Sequence, residues 1–181
     1  MNQPIRRLLA FAADYLVISG YLVILAAGSL LVAATPISAG YLAIWSGAWS
    51  AELAGFLLLT MPVVLYFAIF ESSRAGATLG KRLLNLRVHG LDGGPLSLPR
   101  SFLRSAIKFL PWEMAHFTIW HYVYGAAGRG HPPGWGAITL TIVYFLVAVF
   151  LLSLFIGAHR TLYDRAAGSI VSVTFMARER Y

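Results

Sequence analysis

The hydrophobic positions of this chain gather into four blocks, about residues 8–35, 51–70, 103–124 and 135–157. A membrane-spanning helix needs about 20 apolar residues at about 1.5 Å of rise each, so the pattern predicts four transmembrane helices. The first block exceeds that length and the fourth carries no charge. Pro62 lies in the second, where a neighbouring helix can satisfy the carbonyl it frees. The third block is the weakest, because its apolar part, residues 109–124, would reach only about 24 Å across a core of about 30 Å. That block also holds Pro111, Glu113, His116 and His121, so a helix lying on the surface stands beside a crossing one. Between the first two blocks runs a loop over 37–51, in which Trp45 and Trp49 fit an aromatic belt at the membrane interface.

The polar stretches, a loop over 71–102 and a tail over 158–181, carry weaker patterns. Leu79, Leu83, Leu84 and Leu86 beside Lys81 and Arg82 predict a short amphipathic surface helix. Leu86 and Val88 then alternate with Arg87 and His89 ahead of the turn-forming run Asp92, Gly93, Gly94 and Pro95, which suggests a hairpin. In the tail Val171, Val173 and Phe175 alternate with Ser172 and Thr174 as in a half-buried strand, and residues 86–89 are its natural partner. Ser101 is placed to cap the third helix, where Arg104 and Lys108, four residues apart, can both reach lipid phosphate. The fold expected is therefore all-α in the membrane, with a small cytoplasmic β-hairpin or sheet and an amphipathic surface helix.

Composition narrows the class. With 181 residues, 59% of them hydrophobic, the chain has too little polar surface for a soluble globule and reads as one membrane domain over 1–181. Its charge of +7 comes from basic residues flanking apolar blocks, so the counter-charge expected is anionic lipid headgroups, not nucleic acid. If the third helix crosses, 13 of the 14 basic residues lie on one side with both termini, as positive-inside topology requires of the cytoplasmic side. If it does not, the split falls to 10 and 4. The first block is too long for a signal h-region and holds an acid, so it reads as an uncleaved first helix. The absence of cysteine excludes disulfides, thiolate metal sites and cysteine nucleophiles.

The acid in the first block is the main chemical signal. Asp14 stands about 9 Å along the helix from its basic end, where a carboxylate costs roughly 2.5 to 3.5 kcal/mol and normally has a partner. Either it bonds a neighbouring helix and locks packing, or it holds a proton or cation. Glu113 and His116 lie at comparable depth, so the three are expected around one wet cavity, with Asp14 facing Glu113 or His116. Arg7 and Asp164, of opposite charge near the inner ends of their helices, are expected to pair. A single Glu-x-x-His step falls short of a helical metal site, and Gly76 to Arg82 misses phosphate-loop spacing, so those glycines read as tight turns. No serine, histidine and acid set has a nucleophile context, and neither a cofactor nor enzymatic activity is expected.

The stretch from Arg7 to Asp14, the block Gly76-Ala-Thr-Leu-Gly-Lys-Arg-Leu-Leu-Asn-Leu-Arg-Val with Asp92 and Gly93 after it, Arg104, and Thr161-Leu-Tyr-Asp-Arg-Ala-Ala-Gly168 together resemble the RDD family of small bacterial membrane proteins. The arginine and two aspartates of that name map onto Arg7, Asp14 and Asp164. Tyr163 stands where histidine is commoner, and Asn85 where glycine is usual. The resemblance implies a multi-pass protein of the bacterial cytoplasmic membrane, in a family some of whose members are linked to cation/proton antiport. Two readings follow. One is a transporter of a proton-coupled cation or small solute through Asp14, which at this size would need a homo-oligomer. The other is a non-enzymatic accessory, assembly or regulatory protein in which Arg7, Asp14 and Asp164 clamp the first helix to the cytoplasmic sheet.

Overall fold

The computed structural model describes residues 2–129, 134–156 and 159–174. The Arg129 side chain, Gly157, Phe175, Arg178 and Arg180, all invoked above, lie outside the described residues. The elements in order are α1 (Gln3–Ala33), α2 (Ser38–Ile44), α3 (Ala48–Gly55), a π-helical segment (Phe56–Thr60), α4 (Met61–Ser72), α5 (Leu79–Leu83), β1 (Leu86–Gly90), α6 (Leu98–Arg129), α7 (Trp135–Ser153), α8 (Leu162–Ala166) and β2 (Ser169–Val173). Among the described residues three helices are long and apolar enough to cross a membrane: Gln3–Ala33, Ala48–Ser72 and Trp135–Ser153.

The third block corrects the length argument made for it. Its helix runs 32 residues, about 48 Å, with Pro111 inside, so length is ample and only polarity separates it from the other three. It begins at Leu98, which puts Ser101 inside the first turn and not at the cap, with its backbone N–H already bonded to the Ser97 carbonyl. The 37–51 loop is also partly helical, as α2.

The chain divides into two compact units. The first comprises Met1–Val17, Leu65–Ile107 and Phe150–Tyr181. Its sheet is a single antiparallel pair, Leu86 opposite Val173 through Gly90 opposite Ser169, so the middle loop does join the tail. There is no local hairpin. After β1 the chain closes a tight turn, with the Gly90 N–H donating to the Gly94 carbonyl at 2.9 Å, and proceeds to α6. The alternation read from sequence buries Leu86, Val88 and Val171 on one face, where they pack with Ala10 of α1 and Leu96. Asn85, between α5 and β1, has φ of 54°, a left-handed conformation that glycine adopts freely and asparagine tolerates. That accounts for asparagine standing where glycine is usual.

The second unit comprises Ile18–Val64 and Lys108–Val149. Pro62 has no N–H to offer the Leu58 carbonyl one turn earlier, and the Tyr21 hydroxyl of α1 donates to that carbonyl instead, at 2.6 Å. Aromatic rings fill this unit. Trp45 packs on Trp120 with centroids 5.7 Å apart, and the Tyr124 hydroxyl donates to the Trp45 carbonyl. Gly55 lies against the Trp120 indole, where a Cβ would come 3.0 Å from Nε1. Trp45 thus serves helix packing, whereas Trp49 keeps most of its surface exposed.

Candidate functional site: two polar junctions in the first unit

Two short helices bring the polar groups of the first unit together, and each begins at a threonine cap. Thr78 opens α5, its hydroxyl accepting from the Lys81 N–H. Thr161 opens α8 in a full capping box, in which Asp164 also accepts from the Thr161 backbone N–H. The caps fix the first turn and thereby aim Lys81 and Asp164 inward.

The first junction is Asp14. Its Oδ2 accepts from the Thr78 hydroxyl at 2.6 Å, and its Oδ1 accepts from the Gly80 N–H at 2.7 Å and the Tyr66 hydroxyl at 2.8 Å. The residue is fully buried. Gly80 makes this approach possible, because a Cβ there would overlap the Ala10 carbonyl and sit 2.8 Å from the Asp14 backbone nitrogen. The glycine therefore serves close packing of α5 on α1, a correction to the turn expected for it. Gly76 does serve a turn, at φ of 59°, with its carbonyl accepting from the Val88 N–H at 2.7 Å.

The second junction is a chain of ion pairs. Lys81 Nζ lies 2.7 Å from Glu71 Oε1; Arg104 Nη1 donates to Glu71 Oε2, and its Nε and Nη2 reach Asp164 Oδ1 at 2.9 and 2.7 Å. Arg7 Nη2 completes it at 2.6 Å from Asp164 Oδ2, while Nη1 donates to the His159 carbonyl at 2.6 Å. The Arg7–Asp164 pair expected from sequence is present. Arg104 also stacks its guanidinium 5.2 Å from the centre of the Tyr163 ring, and that ring meets Phe150 edge-on. An aromatic ring at 163 thus closes one side of the arginine. Burial pushes the Asp164 carboxyl up, but the positive charges of Arg104 and Arg7 outweigh it and hold the group down at about 2.

Three of these residues were not recognised as site residues from sequence. Glu71 fell at the start of the polar loop over 71–102, Lys81 read as part of a surface helix, and Arg104 as a lipid anchor. Arg104 is in fact 1% exposed and ties two carboxylates. Glu113 and His116 belong to the second unit, where the Thr60 hydroxyl donates to Glu113. They are not among the groups that hydrogen-bond to Asp14, which accepts from Tyr66, Thr78 and Gly80. No group of three or more histidine, aspartate and glutamate side chains able to hold a metal occurs among the described residues.

A family model for the RDD family matches residues 2–168. The chain belongs to the RDD family. Neither the curated proteins nor the solved structures compared with it give a match. In RDD terms, the arginine and the second aspartate bond each other, while the first aspartate binds the block Gly76–Arg82. The motif thus marks two adjoining polar junctions on α1, seven residues apart, both facing the same unit.

Proposed function

We propose that this RDD-family membrane protein is a non-enzymatic accessory, assembly or regulatory protein of the bacterial inner membrane, in which the buried charges clamp the first helix to the sheet. The observation that carries this reading is the commitment of Asp14: both oxygens are occupied by donors from α4 and α5, and the residue is fully buried. A carrier carboxylate must exchange its partners with water or substrate, whereas a latch keeps them. Charge balance supports it too. Among the described residues of the first unit the buried charges are Arg7, Lys81 and Arg104 against Asp14, Glu71 and Asp164, a neutral set.

The topology we propose has four spans, with α6 crossing after Lys108 and both termini in the cytoplasm. The length of α6 and the collection of 13 of 14 basic residues on one side support it. The exposed Leu79 and Leu83 of α5 would then rest on the headgroup region beside Arg82, with anionic lipid as the partner. The test compares wild type with Asp14→Asn in proteoliposomes, measuring cation- or proton-gradient-driven flux and thermal stability. The clamp predicts no flux above empty vesicles and a lower Tm in the variant. A flux that Asp14→Asn abolishes at unchanged Tm would overturn it in favour of transport.

A further inference from the structure

The second unit holds a different arrangement of ionisable groups, on α3 and α6 and apart from any role given to the clamp. His121 Nδ1 lies 3.0 Å from the Phe117 carbonyl and 3.5 Å from Glu52 Oε2. A carbonyl only accepts, so Nδ1 carries the hydrogen and Nε2 is left as a bare lone pair. That Nε2 is buried and meets no donor. One and a half turns nearer the N-terminus of α6, His116 Nδ1 lies 3.9 Å from Glu113 Oε2 and is also buried without a hydrogen-bond partner. Glu52 Oε2 is a third such atom.

Three buried polar atoms without partners, on two imidazoles and a carboxylate, make a set short of protons. We infer that Glu52 with His121 and Glu113 with His116 form two proton-binding pairs of one elongated site inside the apolar part of the second unit. A proton arriving from water bonds to the free ring nitrogen, and the positive imidazolium so formed is balanced by the carboxylate beside it. The second pair takes a proton in the same way, with Glu113 balancing the imidazolium of His116. The titratable groups facing one another are Glu52 from α3 and Glu113, His116 and His121 from α6. Around them, Trp49 stacks edge-on to His121 at 4.6 Å, Trp112 contacts His116 at 4.9 Å, Trp135 of α7 lies 5.9 Å from His121, and the π-helical segment gives the Thr60 hydroxyl to Glu113. Aromatic rings this close can stabilise a cationic imidazole. Residues 113 to 121 place the groups along about 12 Å of helix, so the site is elongated.

The test uses the full chain in lipid nanodiscs with nitrogen-labelled histidine, followed by NMR from pH 4.5 to 9. In wild type His116 and His121 both take up a proton in that range. Glu52→Gln moves the His121 midpoint by about one pH unit and Glu113→Gln does the same for His116. Net proton uptake, read by a pH-stat on the same particles, falls by one in each of His116→Asn and His121→Asn, which keeps the inference testable if a glutamine variant folds poorly. Neither ring protonating, a midpoint indifferent to its carboxylate, or a response at one pair alone overturns the site. None of these outcomes bears on the Asp14 clamp, whose variant lies in the other unit.

Discussion

In the first unit the buried charges face opposite charges or converging donors, whereas in the second the carboxylates and imidazoles are half-buried and three of their polar atoms meet no partner. Both units place ionisable groups among apolar helices, yet the outcomes differ. Six ionisable side chains are buried in the first, and the loss of water is offset by ion pairs from Lys81 through Glu71, Arg104 and Asp164 to Arg7 and by three donors on Asp14. The second unit leaves three of its polar atoms unmatched, which leaves room for a proton to change the state. Matched charge specifies a structure; unmatched polarity supplies a response.

The largest test of this contrast is Arg104→Met, which strands Glu71 and Asp164 together. We expect a loss of at least 3 to 5 kcal/mol, roughly the cost of breaking a buried pair, seen as loss of the folded form on thermal denaturation in detergent. His121→Asn should move the same transition far less, and equal losses would erase the distinction. Gly80→Ala comes next, since the added Cβ must displace α5 from α1; about 3 kcal/mol is expected, read from the same denaturation curves.

Acid gives a smaller effect with a defined sign. Asp164 is held at about 2 in the fold against an ordinary 3.8, so its contribution is present above pH 4 and is lost as pH falls through 2. About 2 kcal/mol should disappear over that window, and Asp164→Asn should flatten the pH dependence of stability there. Smallest is Asn85→Gly, which relieves a left-handed φ of 54° and should stabilise by about 0.5 kcal/mol, partly cancelled by the freer unfolded chain.

Which parts were legible in sequence follows from the range of each signal. The sheet was visible because Leu86, Val88, Val171 and Val173 alternate in two segments that each lacked a partner. The Arg7–Asp164 pair was visible because opposite charges stood at the same end of their helices. Glu71, Lys81 and Arg104 were hidden. Periodicity tells which face of a helix a side chain occupies but not what lies opposite, and Arg104 sits 33 residues from one partner and 60 from the other. The π-helical segment was equally hidden, since nothing but Pro62 marks it. Gly80 was misread because a glycine needed for turning and one needed for close packing look alike until the neighbouring helix is in place. Depth along a helix, which grouped Asp14 with Glu113 and His116, carries no information about azimuth, and Thr78, Gly80 and Tyr66 occupy that aspartate instead.

The Arg7–Asp164 bridge spans 157 residues of chain, and the strands it accompanies pair Leu86 with Val173, about half that distance apart. During synthesis at roughly 5 to 20 residues per second, the first helix is made roughly 8 to 30 s before its aspartate exists. For that interval Arg7 lacks its carboxylate, and the face around Ala10 lacks Val171 of its cluster. The order of events is thus imposed by the ribosome: α1 enters the bilayer early, the Gly76–Arg82 block reaches Asp14 next, and the last residues to emerge close the assembly. A chain stopped short of Asp164 would leave Arg7 without its carboxylate and β1 with an unpaired edge open to other chains.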